Sequence, residues 1–193
     1  MLMFENLRRD MTKYEDTGGW YANPGFWIVA IFRFGNWADA LPSIFLRIPM
    51  WMLYRTFKIP FRGYNVHLWA GRRGPRIGAG LHLIHPTNIM VGRGVEIGED
   101  CLIFHDVTLG TGHIPGMPKI GNNVDIYPGA CVLGGITIGD KSMVGANCVV
   151  TRDVPPESII LPAPSRVIPR TLSLVAREND QRIAGSAVPA PPK

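Results

Sequence analysis

An aliphatic residue recurs every six positions through much of the second half of this chain. One pair at this spacing is followed by a run of four hexads and then by a run of six. Seven of the twelve aliphatic residues are followed directly by glycine, and the fourth residue after most of them is small or β-branched. The series is Ile77 and Leu83, then Val91, Ile97, Ile103 and Leu109, then Ile120, Ile126, Val132, Ile138, Val144 and Val150.

A period of six predicts a solenoid, because each hexad can supply one short strand and one corner. The aliphatic side chain points inward, and we expect the glycine after it to supply corner dihedral angles that other residues reach only with strain. Three hexads close a triangular coil, and successive coils stack in parallel at about 4.8 Å. A glycine-rich antiparallel barrel would show a period of two instead. The pattern therefore predicts a mainly β fold, a parallel β-helix of hexapeptide repeats.

The repeat is interrupted twice, and insertions on the surface of a regular solenoid are where function usually lies. Val91 follows Leu83 by eight positions rather than six, so the corner at residues 84–88 carries a small insertion. Ile120 follows Leu109 by eleven positions, so residues 110–119 must leave the coil as a loop.

The N-terminal part lacks the repeat and predicts a short α-helical region. Its apolar residues favour two amphipathic helices at about 26–38 and 43–57, with Pro42 opening the second. Charges interrupt every window long enough to span a bilayer, so we expect no membrane span. The exposed helix faces could pack on the β domain, on another subunit or on a membrane surface. We expect these faces to pack within the protein, and the Trp and Arg content leaves peripheral membrane contact as the alternative.

These patterns divide the chain into a helical region at 1–62, a β-helix domain at 63–170 with the loop at 110–119, and a flexible tail at 171–193. The N-terminus has no signal-peptide pattern, which predicts a cytoplasmic protein or one associated with the inner face of the membrane. The formal net charge of +5 is modest and no nucleic-acid-binding motif surrounds the basic residues, so we expect no nucleic-acid partner. The three cysteines form no Cys-x-x-Cys pair and are expected to be reduced core residues.

The residues around both interruptions resemble the serine acetyltransferase family. The matching segments are LIHPTNIMVG at 83–92, VTLGTG at 107–112, PKIG at 118–121 and LPAPSR at 161–166. The shortened N-terminal helical part is similar to that of the exopolysaccharide branch of the family, such as the colanic-acid acetyltransferases. The resemblance implies a left-handed β-helix, acetyl-CoA as co-substrate, no metal, and a homotrimer with sites between neighbouring subunits.

His85 aligns with the catalytic histidine of that family. A free imidazole has a pKa near 6.5, so it can accept a proton from a hydroxyl at neutral pH. Backbone N–H groups near Gly110 and Thr111 are candidates for holding the oxyanion that develops on the thioester carbonyl. Counting hexads places His105 directly over His85, where we expect it to disfavour a charge on His85 and keep that residue basic. The ordinary alternative is that His105 only touches solvent.

Other site residues follow from the resemblance. The family contacts acetyl-CoA mostly through backbone groups along the coil edge, where small side chains leave space. Arginines are candidates for the cofactor's phosphates, although both could be ordinary surface residues. The candidate cofactor-binding residues are Gly110, Thr111, Gly129, Ala130, Ala146, Arg152 and Arg166, and the candidate acceptor contacts are Asp10 and His113.

Three positions depart from the serine acetyltransferase pattern. Ala70 stands where an acidic residue orients the catalytic histidine, and Ile84 replaces an acidic residue that helps to hold serine. The Arg-His pair that binds the serine carboxylate falls at about residues 116–117, which are Gly and Met here. Free serine needs charged partners for its ammonium and carboxylate groups. The sequence therefore predicts an O-acetyltransferase acting on a sugar hydroxyl in exopolysaccharide synthesis, with serine O-acetylation as the alternative.

Two other classes of function compete with this interpretation. His85, His105 and His113 could suggest the zinc site of the β-helical carbonic anhydrases, but their spacing differs from that of the ligands in those enzymes. A β-helix scaffold without catalytic activity is the other rival. Metal analysis tests the first, and acetyl-CoA turnover tests the second.

Overall fold

A computed structural model describes residues 2–15 and 18–163 of the chain, which form a helical N-terminal part followed by a three-sided parallel solenoid. The helices are α1 (Leu2–Thr12), α2 (Pro24–Ala40) and α3 (Ile44–Phe57), with 3-10 turns at Trp20–Ala22 and Ile59–Tyr64. The two helices predicted from the apolar pattern are therefore present. Within the described ranges, no helix is both long enough and apolar enough to cross a bilayer.

Thirteen strands of two or three residues build three parallel sheets, one along each side of the solenoid, within the described residues. The first sheet contains β1 (Arg76–Ile77), β4 (Glu96–Ile97), β7 (Lys119–Ile120) and β10 (Thr137–Ile138). The second contains β2 (His82–Leu83), β5 (Leu102–Ile103), β8 (Asp125–Ile126), β11 (Met143–Val144) and β13 (Ile159–Ile160). The third contains β3 (Met90–Val91), β6 (Thr108–Gly110), β9 (Cys131–Leu133) and β12 (Val149–Val150).

The predicted hexad positions form the core of the solenoid. Eleven of the twelve aliphatic residues are buried, and Ile77 at the first coil is partly buried. The small or β-branched residues four positions later also point inward, as at Val95, Cys101 and Val107. Burial raises the pKa of the Cys101 thiol to about 11, so this side chain behaves as a small apolar core residue.

The prediction that the glycines after the aliphatic residues supply corner dihedral angles is wrong. Positive φ angles occur instead later in the hexads, at residues such as Asp100 (56°) and Asn123 (53°). Most of these glycines are required because stacked coils approach closely at these points, although Gly110 faces open space. A Cβ on Gly78 would lie 2.5 Å from the carbonyl oxygen of Gly98, and a Cβ on Gly98 would lie 2.5 Å from that of Gly121.

A short segment joins the helices to the solenoid. The helical part ends at Tyr64, and His67 then pairs in parallel with Met90 at the edge of the third sheet. The predicted loop leaves the coil between the end of β6 at Gly110 and the start of β7 at Lys119. The predicted tail at 171–193 and the last residues of the predicted β domain lie outside the described residues.

Candidate active site

The insertion after Leu83 forms an exposed turn at the corner between β2 and β3. His85 and Asn88 both have left-handed backbone conformations, with φ angles of 48° and 51°. The Thr87 amide donates a hydrogen bond of 2.7 Å to the His85 carbonyl and closes the turn. His85 is therefore exposed to solvent, and its backbone has a conformation that residues other than glycine adopt infrequently.

Hydrogen bonds among two side-chain amides and one carboxylate connect this corner to the segment before the solenoid and to the next coil. Asn65 donates to the amide oxygen of Asn88 at 2.9 Å, and Asn88 donates to the carboxylate of Asp106, also at 2.9 Å. The Asp106 backbone amide returns a hydrogen bond of 2.9 Å to the Thr87 carbonyl. Asn88 and Asp106 are not among the site residues predicted from the sequence. Their signal was that both precede a buried residue and belong to the types that most readily adopt positive φ.

His105 lies next to His85, as the hexad count predicts. Leu83 pairs with Ile103 in the second sheet, and two residues later the rings of His85 and His105 lie 6.3 Å apart between centroids. The Nδ1 atom of His105 is buried and has no hydrogen-bond partner among the described residues. Its Nε2 atom lies 4.0 Å from a carboxylate oxygen of Asp106. The stacking geometry is therefore confirmed, while an effect of His105 on the reactivity of His85 stays a prediction.

The candidate cofactor residues at the corners of the solenoid differ in how accessible they are. Gly110 ends β6, and a Cβ added there would meet nothing within 4 Å. Gly129 lies at a different corner, between β8 and β9 and one coil beyond His105, where its amide donates a hydrogen bond of 3.2 Å to the His105 carbonyl. Ala146 is partly exposed. Ala130, in contrast, is fully buried in the core, so the expectation that its small side chain lines the edge is wrong.

The remaining cofactor and acceptor candidates lie in less constrained places. Thr111 and His113 are exposed in the loop that follows β6. Arg152 is exposed after β12 and forms no ion pair with any carboxylate in the described part of the chain. Arg166 lies outside the described residues.

Asp10 is a structural residue, and its predicted contact with the acceptor does not fit the structure. Its carboxylate is 0% exposed and accepts two hydrogen bonds from the Arg33 guanidinium, at 3.0 and 3.1 Å. It also accepts backbone hydrogen bonds from Gly80 and Leu81, at 2.8 and 3.1 Å. These contacts join α1 and α2 to the first coil and leave the carboxylate no exposed surface.

The three positions that depart from the serine acetyltransferase pattern have packing roles. Ala70 packs closely against α2, because a Cβ added at Gly35 would lie 2.7 Å from the Ala70 Cβ. Burial raises the pKa of Tyr54, and a hydrogen bond with the Ala70 backbone opposes that rise. Met117 folds over the solenoid, with its sulfur 3.4 Å from where a Cβ on Gly92 would lie. Ile84 is partly buried, and its amide donates to the Ile103 carbonyl at 3.0 Å.

The described residues bring no metal cluster together. Within residues 2–15 and 18–163, no group of three or more His, Cys, Asp or Glu side chains is arranged to hold a metal ion. The three histidines considered for zinc divide between the coil corner, which holds two of them, and the exposed loop.

Comparisons with known proteins agree with this architecture. Residues 117–152 match the bacterial transferase hexapeptide model of six repeats. A serine acetyltransferase of Synechococcus elongatus is 42% identical over 153 residues, which cover 77% of this chain and 58% of that protein. A serine acetyltransferase of Mycobacterium tuberculosis is 43% identical over 98 residues, which cover 49% of this chain and 43% of that protein. The chain thus spans about half the length of these relatives.

A solved structure shows the same fold. A serine acetyltransferase solved in complex with CoA superimposes with a TM-score of 0.66 at 23% identity, over 86% of this chain and 69% of that chain. The relatives found carry the name serine acetyltransferase, so the comparisons favour that branch over the exopolysaccharide branch expected from the sequence.

Proposed function

Because residues 117–152 match the hexapeptide transferase model and a relative 42% identical is named a serine acetyltransferase, we propose that this chain is a hexapeptide-repeat transferase that moves an acetyl group from acetyl-CoA to a hydroxyl group. The observation that carries this proposal is the exposed imidazole of His85, held at a strained corner with His105 in the next coil beside it. A solenoid needs no such insertion to pack its core, and an exposed imidazole at a fixed corner suits a general base.

The reaction takes place in one displacement. A nitrogen of His85 accepts the proton of the acceptor hydroxyl while the hydroxyl oxygen attacks the thioester carbonyl carbon of acetyl-CoA. The carbon–sulfur bond then breaks and the acetyl ester is released. The CoA thiolate takes up the proton from His85. Backbone N–H groups at Gly110 and Thr111 stabilise the negative charge on the carbonyl oxygen, and the open space at Gly110 allows the thioester to approach.

Acetyl-CoA is the proposed co-substrate. A structural relative was solved in complex with CoA. Gly129 and Ala146 provide small residues at the corner between the second and third sheets, and Gly110 provides one at the corner between the third and first sheets. Thr111 and the exposed Arg152 follow β6 and β12 at the same corner as Gly110, and Arg152 supplies charge for phosphate groups. We also propose a homotrimer, in which a neighbouring subunit completes the site, and a cytoplasmic location where acetyl-CoA is available.

L-Serine is the acceptor that the comparisons favour, because relatives with more than 40% identity are named serine acetyltransferases. A sugar hydroxyl is the second candidate, and a specific observation favours it. Ile84 provides no charge for the ammonium group of serine, and Met117 provides none for its carboxylate. Asp10 is already bound to Arg33. A neutral sugar hydroxyl requires none of these charges.

A CoA-release assay separates these possibilities. The purified chain is supplied with acetyl-CoA and either L-serine or a panel of neutral glycans, and free thiol is measured. Serine-dependent release supports the proposal in full, whereas release with glycans alone keeps the acetyl transfer and replaces the acceptor. A folded protein that releases no CoA with any acceptor would contradict the proposed activity.

A further inference from the structure

The outward side of α3 is apolar, although most helices on a protein surface point their polar side to solvent. Phe45 is 86% exposed and Met52 is 65% exposed, and Ile48 lies on the same side of the helix. Large contiguous apolar patches on a protein surface mark sites of interaction with another molecule or with a membrane. The exposed apolar residues of α3 and the turn after it are Ile44, Phe45, Leu46, Ile48, Met52, Leu53, Phe57 and Ile59.

The stretch of sequence that contains α3 carries charges of a single sign. From residue 40 to residue 95 the sequence contains eight Arg and Lys residues and neither Asp nor Glu. Arg55, Lys58 and Arg62 lie on α3 or in the turn after it, and none of the three pairs with a carboxylate in the described ranges. Burial and the neighbouring Arg62 lower the pKa of Lys58, as expected for cations placed close together without a counter-ion.

A cavity of about 450 Å³ opens beside these cations, between α2, α3 and the segment that leads into the solenoid. Its walls include the aromatic side chains of Trp51, Phe61 and Trp69, and the three cations also line it. Aromatic rings together with Arg and Lys are the residue types that proteins place where a bilayer changes from acyl chains to headgroups.

We propose that α3 and the turn after it, residues 44–64, form a surface that docks on an anionic lipid bilayer. The apolar side of α3 enters the boundary between headgroups and acyl chains, and the unpaired cations contact lipid phosphates. The cavity accepts part of one lipid beside Lys58. The helix lies in the plane of the membrane, since it is too short and too charged to cross it.

The charge argues against a second copy of this surface as its partner. Two copies meeting face to face would bring the same cations together with no acidic residue between them, which is unfavourable. An anionic bilayer satisfies both the apolar residues and the cations. The inference does not depend on acetyl transfer, because neither the apolar side of α3 nor these cations take part in the proposed chemistry.

Vesicle sedimentation with the full chain tests the inference without acetyl-CoA or acceptor. The vesicles contain either phosphatidylcholine alone or phosphatidylcholine mixed with phosphatidylglycerol. We expect binding only to the anionic vesicles, weakening as salt is added. Replacing Arg55, Lys58 and Arg62 with Gln should weaken binding roughly 100-fold, since each cation contributes near an anionic surface. The double variant Phe45→Ser with Met52→Ser should weaken it roughly tenfold or more.

Matched controls keep the test specific. Replacing Arg8, Lys119 and Lys141 with Gln removes the same net charge from other exposed places, and Phe4→Ser with Ile159→Ser removes two apolar side chains that are similarly exposed. Both controls should bind as the parent chain does. Equal binding to neutral and anionic vesicles, no binding, or equal losses in the controls would each overturn the inference. Self-association that disappears in the Phe45→Ser and Met52→Ser variant, without vesicle binding, would also overturn it and assign the surface to a second copy.

Discussion

The ring of Tyr14 meets the ring of His82 edge-on, with 4.5 Å between centroids and 69° between planes. His82 is buried on β2, and its Nε2 atom has no hydrogen-bond partner among the described residues. The Tyr14 hydroxyl lies over the same strand and accepts a hydrogen bond of 2.9 Å from the Leu83 amide. The segment that follows α1 therefore covers an imidazole that has no counter-ion.

This cover makes the stability of the fold depend on pH. Burial, and secondly the nearby Lys13, lower the pKa of His82 below its usual 6.5. The unfolded chain therefore binds a proton more readily than the folded chain, and the free energy of unfolding should decrease as the pH falls below about 6.5. We expect His82→Leu to flatten this dependence in denaturant titrations between neutral and mildly acidic pH. The exposed His113→Leu serves as the control, and an equal slope in parent and His82→Leu chains would contradict the prediction.

The general-base role of His85 predicts a loss of turnover without a loss of folding. His85→Ala should lower kcat by about 10² to 10⁴, because a positioned base contributes that much to proton transfer. Acetyl-CoA binding, measured by calorimetry, should be retained. Near-parental turnover in this variant would remove His85 from the mechanism.

The buried pair of Asp10 and Arg33 predicts a large effect on stability. Asp10→Asn leaves the guanidinium of Arg33 without its carboxylate, which costs about 3–5 kcal/mol at a buried site. The matched control is Arg9→Gln. Arg9 lies on α1 beside Asp10, and the change removes its partly exposed ion pairs with Glu99 and Asp100 of the solenoid. That change should cost about 1 kcal/mol or less. Chemical denaturation measures the free energy of unfolding of both variants. Similar losses in the two variants would contradict the larger stabilising role of the buried pair.

The stacked glycines predict opposite outcomes for two alanine substitutions. Gly98→Ala places a methyl group 2.5 Å from the Gly121 carbonyl oxygen and should destabilise the fold by about 1–3 kcal/mol. Gly110→Ala places its methyl group in open space and should leave the melting temperature close to that of the parent. If the methyl group obstructs the thioester, this second variant should still lose turnover. Equal melting temperatures for the two variants would contradict the account of the glycines.

The sequence alone determined the solenoid and the stacking of its corners. A six-residue period repeats a local conformation, and parallel backbone hydrogen bonds then fix which residue lies over which. For that reason counting from Leu83 to Ile103 was enough to place His105 beside His85. The same periodicity could not reveal that the glycines serve close approach between coils, because that depends on the distance between stacked backbones.

The tertiary structure alone decided the surroundings of residues that the repeat does not govern. Asp10 looked free in the sequence, but its partners Arg33, Gly80 and Leu81 are distant along the chain and meet it only after the helices pack on the first coil. The apolar side of α3 faces outward for a related reason. When both sides of a helix carry apolar residues, the sequence does not show which side is buried. The packing of Tyr54 against Gly35 and Ala70 determines that here.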